Sequence, residues 1–171
     1  MEYKILEKMF EGENPKSVFE IGVGGGGLLK EVSDHFGGIE MGGIDISKVR
    51  MENLKNLKGE FLLHDLNDPW PVPDNSFDIV FSVGVLMYIF DPGFVLKEMF
   101  RVAKEKIILA EYHHSELNKF GLLTQPFQDA QGRVHHGIIR NYLDILKDIR
   151  KETSVQIIDS GQGKTIIKCQ K

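Results

Sequence analysis

The stretch Val18-Phe19-Glu20-Ile21-Gly22-Val23-Gly24-Gly25-Gly26-Gly27-Leu28-Leu29 decides how this chain is read. Val18, Phe19 and Ile21 have the character of a buried parallel strand, whereas Leu28, Leu29, Val32 and Phe36 recur at helical spacing. The glycines between them therefore form a strand-to-helix turn. Without Cβ atoms such a turn lets the backbone approach a ligand closely and aims the N–H groups of the helix start toward it. A nucleotide-like cofactor is expected there.

Gly22-x-Gly24-x-x-Gly27 also fits the dinucleotide fingerprint, so the glycines alone leave the cofactor open. Glu20 discriminates. A carboxylate two positions before the first glycine repels a diphosphate but suits S-adenosylmethionine (SAM), which carries a sulfonium and an ammonium and has no phosphate. The ordinary reading of Glu20, a strand-end acid paired with a lysine or a backbone donor, stands beside this. A second strand ends in Gly43-Ile44-Asp45-Ile46-Ser47, with Ser47 placed to cap the next helix. Asp45, about 20 residues beyond the glycine turn, can accept both hydrogen bonds of a ribose diol. The third strand, Phe61 to Leu66, carries Asp65 at the equivalent place, where it can accept from an adenine amine. One carboxylate thus falls at the tip of each of the first three strands, on the edge where α/β sheets bind ligands.

At this point the chain resembles the class I SAM-dependent methyltransferases over nearly its whole length. Val18 to Gly26 resembles their first motif, Gly43 to Ser47 the second and His64-Asp65-Leu66 the third. The stretch Trp70-Pro71-Val72-Pro73-Asp74-Asn75-Ser76-Phe77-Asp78-Ile79-Val80-Phe81-Ser82 resembles the approach to the fourth strand. The resemblance implies SAM as cofactor. It places Glu20, Gly22, Gly24 and Gly26 near the methionine part and ribose, Asp45 on the ribose hydroxyls and Asp65 on the adenine amine. Ile46, Leu66 and the Ser82-Val83 strand end would line the same cleft. A fainter similarity, carried by Ile108-Leu109-Ala110-Glu111-Tyr112 and the polar segment after it, is to methylases associated with surface sugars such as pseudaminic acid.

The 171 residues suit one domain, large enough to bury about 70% of its unfolded surface. Hydrophobic residues at 42% and charged residues at 27% describe a globular chain. With 21 basic and 25 acidic residues, the net charge of -4 offers no general attraction for nucleic acid. The first ten residues alternate charge with apolar positions and read as an amphipathic helix within residues 1–13, with neither a secretory nor a membrane pattern. Ile5, Leu6, Met9 and Phe10 share one face, expected on the sheet, with a lid over the cofactor as the alternative. The single cysteine, Cys169, forbids a disulfide within the chain and suits a reducing cytoplasm.

The remaining pattern completes a three-layer, doubly wound α/β fold around a mostly parallel seven-stranded sheet. A fourth strand spans Phe77 to Val85, a helix starts at Asp91-Pro92, and a fifth strand spans Lys106 to Tyr112. A long irregular stretch follows, and residues 113–139 are assigned as an acceptor-site loop. A helix from about Arg140 to Ile149 precedes a C-terminal antiparallel hairpin, Val155 to Asp159 and Lys164 to Cys169, turned at Ser160-Gly161-Gln162-Gly163.

SAM brings an activated methyl group, so the protein's task is mainly to place an acceptor lone pair in line behind it in a site that excludes water. Candidate residues beyond the fourth and fifth strands are Tyr88, Glu111, Tyr112, His113 and His114, with His135 and His136 from the loop. His113, His114 and Tyr88 are the expected catalytic residues, because a histidine near neutral pKa can take a proton from a hydroxyl or amine. No metal site is expected, since adjacent histidines in an extended chain point to opposite faces. Ser82-Val83-Gly84-Val85 lacks the signature with which amino-methylating DNA enzymes hold a flipped base. Tyr88 stands where many small-molecule methyltransferases carry a histidine. The leading expectation is transfer of a methyl group to an O or N atom of a small molecule. The alternatives are an NAD(P)-dependent oxidoreductase using the same turn, or a SAM-binding partner protein that transfers nothing.

Overall fold

The computed structural model describes residues 3–113, 123–128, 134–149, 154–159 and 164–171. Strands β1 (Ser17–Ile21), β2 (Glu40–Asp45), β3 (Glu60–Leu63), β4 (Phe77–Val83) and β5 (Ala103–Glu111) run parallel. β9 (Thr165–Gln170) adds antiparallel to β5, and β8 (Val155–Asp159) pairs antiparallel with β9 at the edge. The order across the sheet is β3-β2-β1-β4-β5-β9-β8, so the chain reverses direction of travel between β1 and β4. Ligands of open α/β sheets bind at that switch point, beyond the carboxyl ends of the strands.

Each face of the sheet carries its own core, because successive side chains of a strand point to opposite sides. Phe19, Ile21, Val80, Ile107 and Leu109 face one side, where α4 (Pro92–Val102) contributes Val95, Leu96 and Met99, and α5 (Tyr142–Ile149) contributes Tyr142 and Leu146. Val18, Ile79, Phe81 and Ile108 face the other, under α1 (Tyr3–Phe10) and α2 (Gly27–Phe36). All four apolar residues of α1 named from the sequence, Ile5, Leu6, Met9 and Phe10, are buried in this second core. Phe10 meets Phe36 and Phe81 edge-on at centroid distances of 5.7 and 5.4 Å.

Local signals set the helix starts. Ser47 Oγ accepts the Arg50 N–H at 3.4 Å ahead of α3 (Lys48–Met51), and Asp91 Oδ1 accepts the Phe94 N–H at 3.1 Å ahead of Pro92. Arg101 on α4 donates to the carbonyls of Val72 (2.6 Å) and Trp70 (3.1 Å) and to Glu98, while Glu98 also accepts the Trp70 N–H at 3.0 Å. The Arg101 guanidinium, more than burial can oppose, holds the Glu98 carboxyl below the usual carboxylate range. These bonds pin the segment after β3, whose Trp70 Nε1 donates to the Leu66 carbonyl at 3.2 Å.

The stretch expected to be irregular after β5 is partly regular. β6 (Leu123–Gln128) and β7 (Val134–Ile139) pair antiparallel as a separate two-stranded sheet, with Gln125 opposite Gly137. Pro126 hides this strand in the sequence, since proline demotes an apolar run to an edge or a non-strand. At Gly137 a Cβ would overlap the Met87 side chain, so the glycine lets β7 lie directly on the turn that follows β4.

Candidate functional site

Beyond the carboxyl ends of β1, β2 and β4 lies a cavity of 440 Å³, within the range of small-molecule sites. Gly22, Asp45, Ile46, Arg50, Asp65, Leu66, Asn67, Val83, Gly84, Val85, Tyr88 and Ile89 line it. Several of these were named from the sequence as cofactor residues: Gly22, Asp45, Ile46, Asp65 and Leu66. Tyr88, expected at the acceptor, is also on the wall and is 56% exposed.

The glycine turn is held by β2. Gly22 and Val23 both donate their N–H groups to the Ile44 carbonyl, at 2.8 and 3.2 Å, and Gly24 donates to Asp45 Oδ2 at 2.8 Å. Gly22, Gly24 and Gly26 adopt φ of +68°, +53° and +76°, the left-handed region that disfavours any residue with a Cβ. The first N–H groups of the turn are thus committed to β2. At the start of α2 there is no side-chain cap and no acid in the first turn, which leaves that helix end electropositive.

Asp45 ends β2 and is 8% exposed. Besides the Gly24 N–H on Oδ2, it accepts the Ser47 N–H on Oδ1 at 2.7 Å. A carboxylate offers about four lone-pair positions, so two backbone bonds leave acceptor capacity on each oxygen toward the cavity. Asp65 lies two residues past the end of β3. Its Oδ1 accepts from both the N–H and the side-chain amide of Asn67, at 2.9 and 2.8 Å, and these bonds lower its pKa. Asp65 is thereby held as a carboxylate at neutral pH, and both acids line the cavity.

Glu20 is 3% exposed, near the end of β1 between Gly43 and Phe81, and is not among the cavity-lining residues. Ser82 is also off the wall: fully buried, its hydroxyl donates to Glu111 Oε1 at 2.8 Å. Gly24 and Gly26 shape the turn from behind, Gly24 through Asp45 and Gly26 by leaving room for Leu54 and Leu57. Arg50 and Asn67 on the wall escaped the sequence reading. Arg50 is the third residue of α3, three past its cap Ser47, and a basic residue in so short a helix carries no periodic signal.

His113 sits where β5 exits, bridged to Arg140, and its Nδ1 accepts the Tyr142 N–H at 3.3 Å. The ring thereby satisfies the first N–H of α5, in the tautomer protonated on Nε2. It is not among the cavity-lining residues. His114 lies outside the described residues, and of His135 and His136 only the backbone pairing in β7 is described. His113→Ala is expected to cost about 1 kcal/mol of stability, as loss of a helix cap does, and to change cofactor affinity less than twofold. Urea unfolding with calorimetry checks this; unchanged stability with lost methyl transfer would instead support the catalytic role expected from the sequence. Among the described residues no group of three or more His, Cys, Asp or Glu side chains is placed to hold a metal ion. No helix among them is long and apolar enough to cross a membrane.

A glycine turn at the switch point of a Rossmann-like sheet thus stands beside a cavity lined by an acid at the end of β2 and another just past β3. Residues 19–110 match the model of the methyltransferase domain family, and the chain belongs to that family, whose cofactor is SAM. Over 117 residues it is 28% identical to phosphoethanolamine N-methyltransferase 2 of Caenorhabditis elegans, a match covering 64% of this chain and 26% of that protein. The chain therefore spans about a quarter of the length of that relative. A SAM-dependent methyltransferase from Mesorhizobium loti shares the fold with a TM-score of 0.72 at 13% identity, over 99% of this chain and 97% of that one. Another from Aquifex aeolicus does so with a TM-score of 0.68 at 20% identity, over 98% and 87%.

The residues present fit SAM. Asp45 and Asp65 are acceptors that would suit the donors of a ribose diol and an adenine amine, and two acidic residues suit a diphosphate poorly. Gly22 stands where a Cβ would come within 2.5 Å of Val85 Cγ2, so the cradle exists only as glycine.

Proposed function

We propose that this domain transfers the methyl group of SAM to an O or N atom of a small-molecule acceptor by in-line displacement. The observation that carries the reading is the pair of acids, Asp45 and Asp65, on one cavity beside the left-handed glycine turn. When bound, SAM supplies a methyl group already activated on a sulfonium. The protein then holds the ribose with Asp45 and the adenine amine with Asp65, and Ile46 and Leu66 flank the ring. Glu20, buried near the end of β1 two residues before Gly22, is the acid that would favour the cationic end of the cofactor. Val83, Val85, Tyr88 and Ile89 form an apolar wall with one hydroxyl, on which an acceptor can be placed with water excluded. Likeness to a phosphoethanolamine N-methyltransferase favours an amine nitrogen among the candidate acceptors, and a sugar hydroxyl or amine is the second choice.

Calorimetry with S-adenosylhomocysteine and with NADH tests the cofactor. Micromolar-range binding of the first and none of the second is expected, and tighter binding of NADH would overturn the reading. Incubation of a metabolite extract with methyl-labelled SAM then tests transfer. Label is expected in a small molecule. Binding without any labelled product would mean a SAM-binding domain that transfers nothing.

A further inference from the structure

Glu111, the last residue of β5, is completely buried, a position an apolar side chain ordinarily occupies. Its oxygens gather three donors from the exit of β4. Oε1 accepts the Ser82 hydroxyl at 2.8 Å and the Val85 N–H at 3.1 Å, and Oε2 accepts the Leu86 N–H at 3.2 Å. Between these donors the chain turns at Gly84, whose φ is +66° and whose N–H donates to the Ala110 carbonyl at 2.9 Å. Val83, Gly84 and Val85, with Tyr88 one short turn further, form one wall of the cavity. Val85 also packs on Gly22, within 2.5 Å of where a Cβ would stand.

A buried carboxylate costs stability compared with an apolar residue of similar size, and breaking one of its pairs costs more. What it gains here is direction, since three donors of one short turn are aimed at two oxygens. We propose that Glu111 is the positioning residue of this site, holding the turn from Ser82 to Leu86 so that Val85 stays seated on Gly22 and Tyr88 is presented to the cavity. The proposal rests on reading the cavity as the SAM site. It assigns no contact between Glu111 and the ligands; the residue acts through the turn.

The protonation of this group gives a signature that a plain core residue lacks. Burial pushes the Glu111 carboxyl up to about 7, against the pull of the Ser82, Val85 and Leu86 donors and of Lys164 ahead of β9. The other groups on this side are Tyr142 on α5, whose hydroxyl burial and Glu111 push up, and Arg140, which donates to the Leu86 carbonyl at 3.4 Å. Because its folded pKa lies above the ordinary value, Glu111 contributes stability that is complete below about pH 4.5 and is lost as pH rises through about 7.

The test compares the wild-type chain with Glu111→Met and Glu111→Gln by amide exchange without ligand, by melting between pH 5 and 8, and by S-adenosylhomocysteine calorimetry at pH 8. Glu111→Met is expected to melt cooperatively with a flatter pH dependence. Its Val85 and Leu86 amides should exchange at least tenfold faster and its affinity should fall at least tenfold. Glu111→Gln keeps one acceptor oxygen, so its faster exchange should be confined to Leu86. If Glu111→Met fails to fold, the exchange pattern of Glu111→Gln decides. Wild-type exchange at both amides in the variant that folds would overturn the proposal. So would wild-type affinity in that variant when the wild type binds. A wild-type chain that does not bind S-adenosylhomocysteine would overturn the cavity reading instead, while the exchange measurements still decide the role of Glu111.

Discussion

Asp45→Ala weakens S-adenosylhomocysteine binding at least a hundredfold. Two hydrogen bonds from a ribose diol to the Asp45 carboxyl group would each be worth about 1.5–3 kcal/mol, and every 1.4 kcal/mol is about tenfold in affinity. The same carboxylate holds the Gly24 N–H at 2.8 Å and the Ser47 N–H at 2.7 Å, so alanine also releases the glycine turn and the start of α3. The structure thus adds a second loss to the one expected from the sequence. Asp45→Asn separates the two contributions, because its carbonyl oxygen can keep one backbone bond while the charge is gone. Its affinity should fall between those of the wild type and Asp45→Ala. Calorimetry and circular dichroism read both quantities, and native dichroism with an affinity within threefold of wild type would remove Asp45 from the site.

Gly22→Ala is expected to lose roughly 2–5 kcal/mol of stability, the sum of about 1–2 kcal/mol for left-handed backbone and about 1–3 kcal/mol for overpacking. The new methyl group would stand 2.5 Å from Val85 Cγ2 and 3.1 Å from Cγ1. Either Val85 moves toward the cavity it lines, or the turn lifts away from the Ile44 carbonyl. Both spoil the cradle, and S-adenosylhomocysteine affinity should fall at least thirtyfold. Gly27→Ala is the control. Its φ is not left-handed, its Cβ would meet nothing within 4 Å, and it opens α2, where alanine gains up to about 1 kcal/mol over glycine. Val85→Ala in the Gly22→Ala background should restore part of the stability. Equal behaviour of Gly22→Ala and Gly27→Ala in thermal melting would show that the turn tolerates a side chain and is no cradle.

Local chemistry made much of this molecule legible without coordinates. The apolar run before Gly22 and the helical spacing after it specify a strand, a turn and a helix, because periods of 2 and 3.6 are properties of a short segment. Ser47 and Asp91 announced their helices for the same reason: a cap and the N–H it accepts are three residues apart. Asp45 was legible because it ends an apolar strand. The sequence alone therefore determined the α/β class, the place of the glycine turn and the acids at the end of β2 and just past β3.

The tertiary structure decided what depends on which segments meet. Ser82 and Glu111 are 29 residues apart, and only the β4–β5 register, with Ser82 opposite Leu109 and Val83 opposite Ala110, brings the hydroxyl onto the carboxylate and off the cavity wall. His113 turns to the Tyr142 N–H because α5 docks beside the exit of β5, which no pattern around His113 encodes. β6 and β7 pair across a proline that local reading counts against a strand, and Gly137 shows its purpose only when Met87 lies beneath it. Arg50 joins the cavity because a short helix turns it there. A segment of ten residues carries its own periodicity, whereas the partner of a buried polar group is set by closure of the whole sheet.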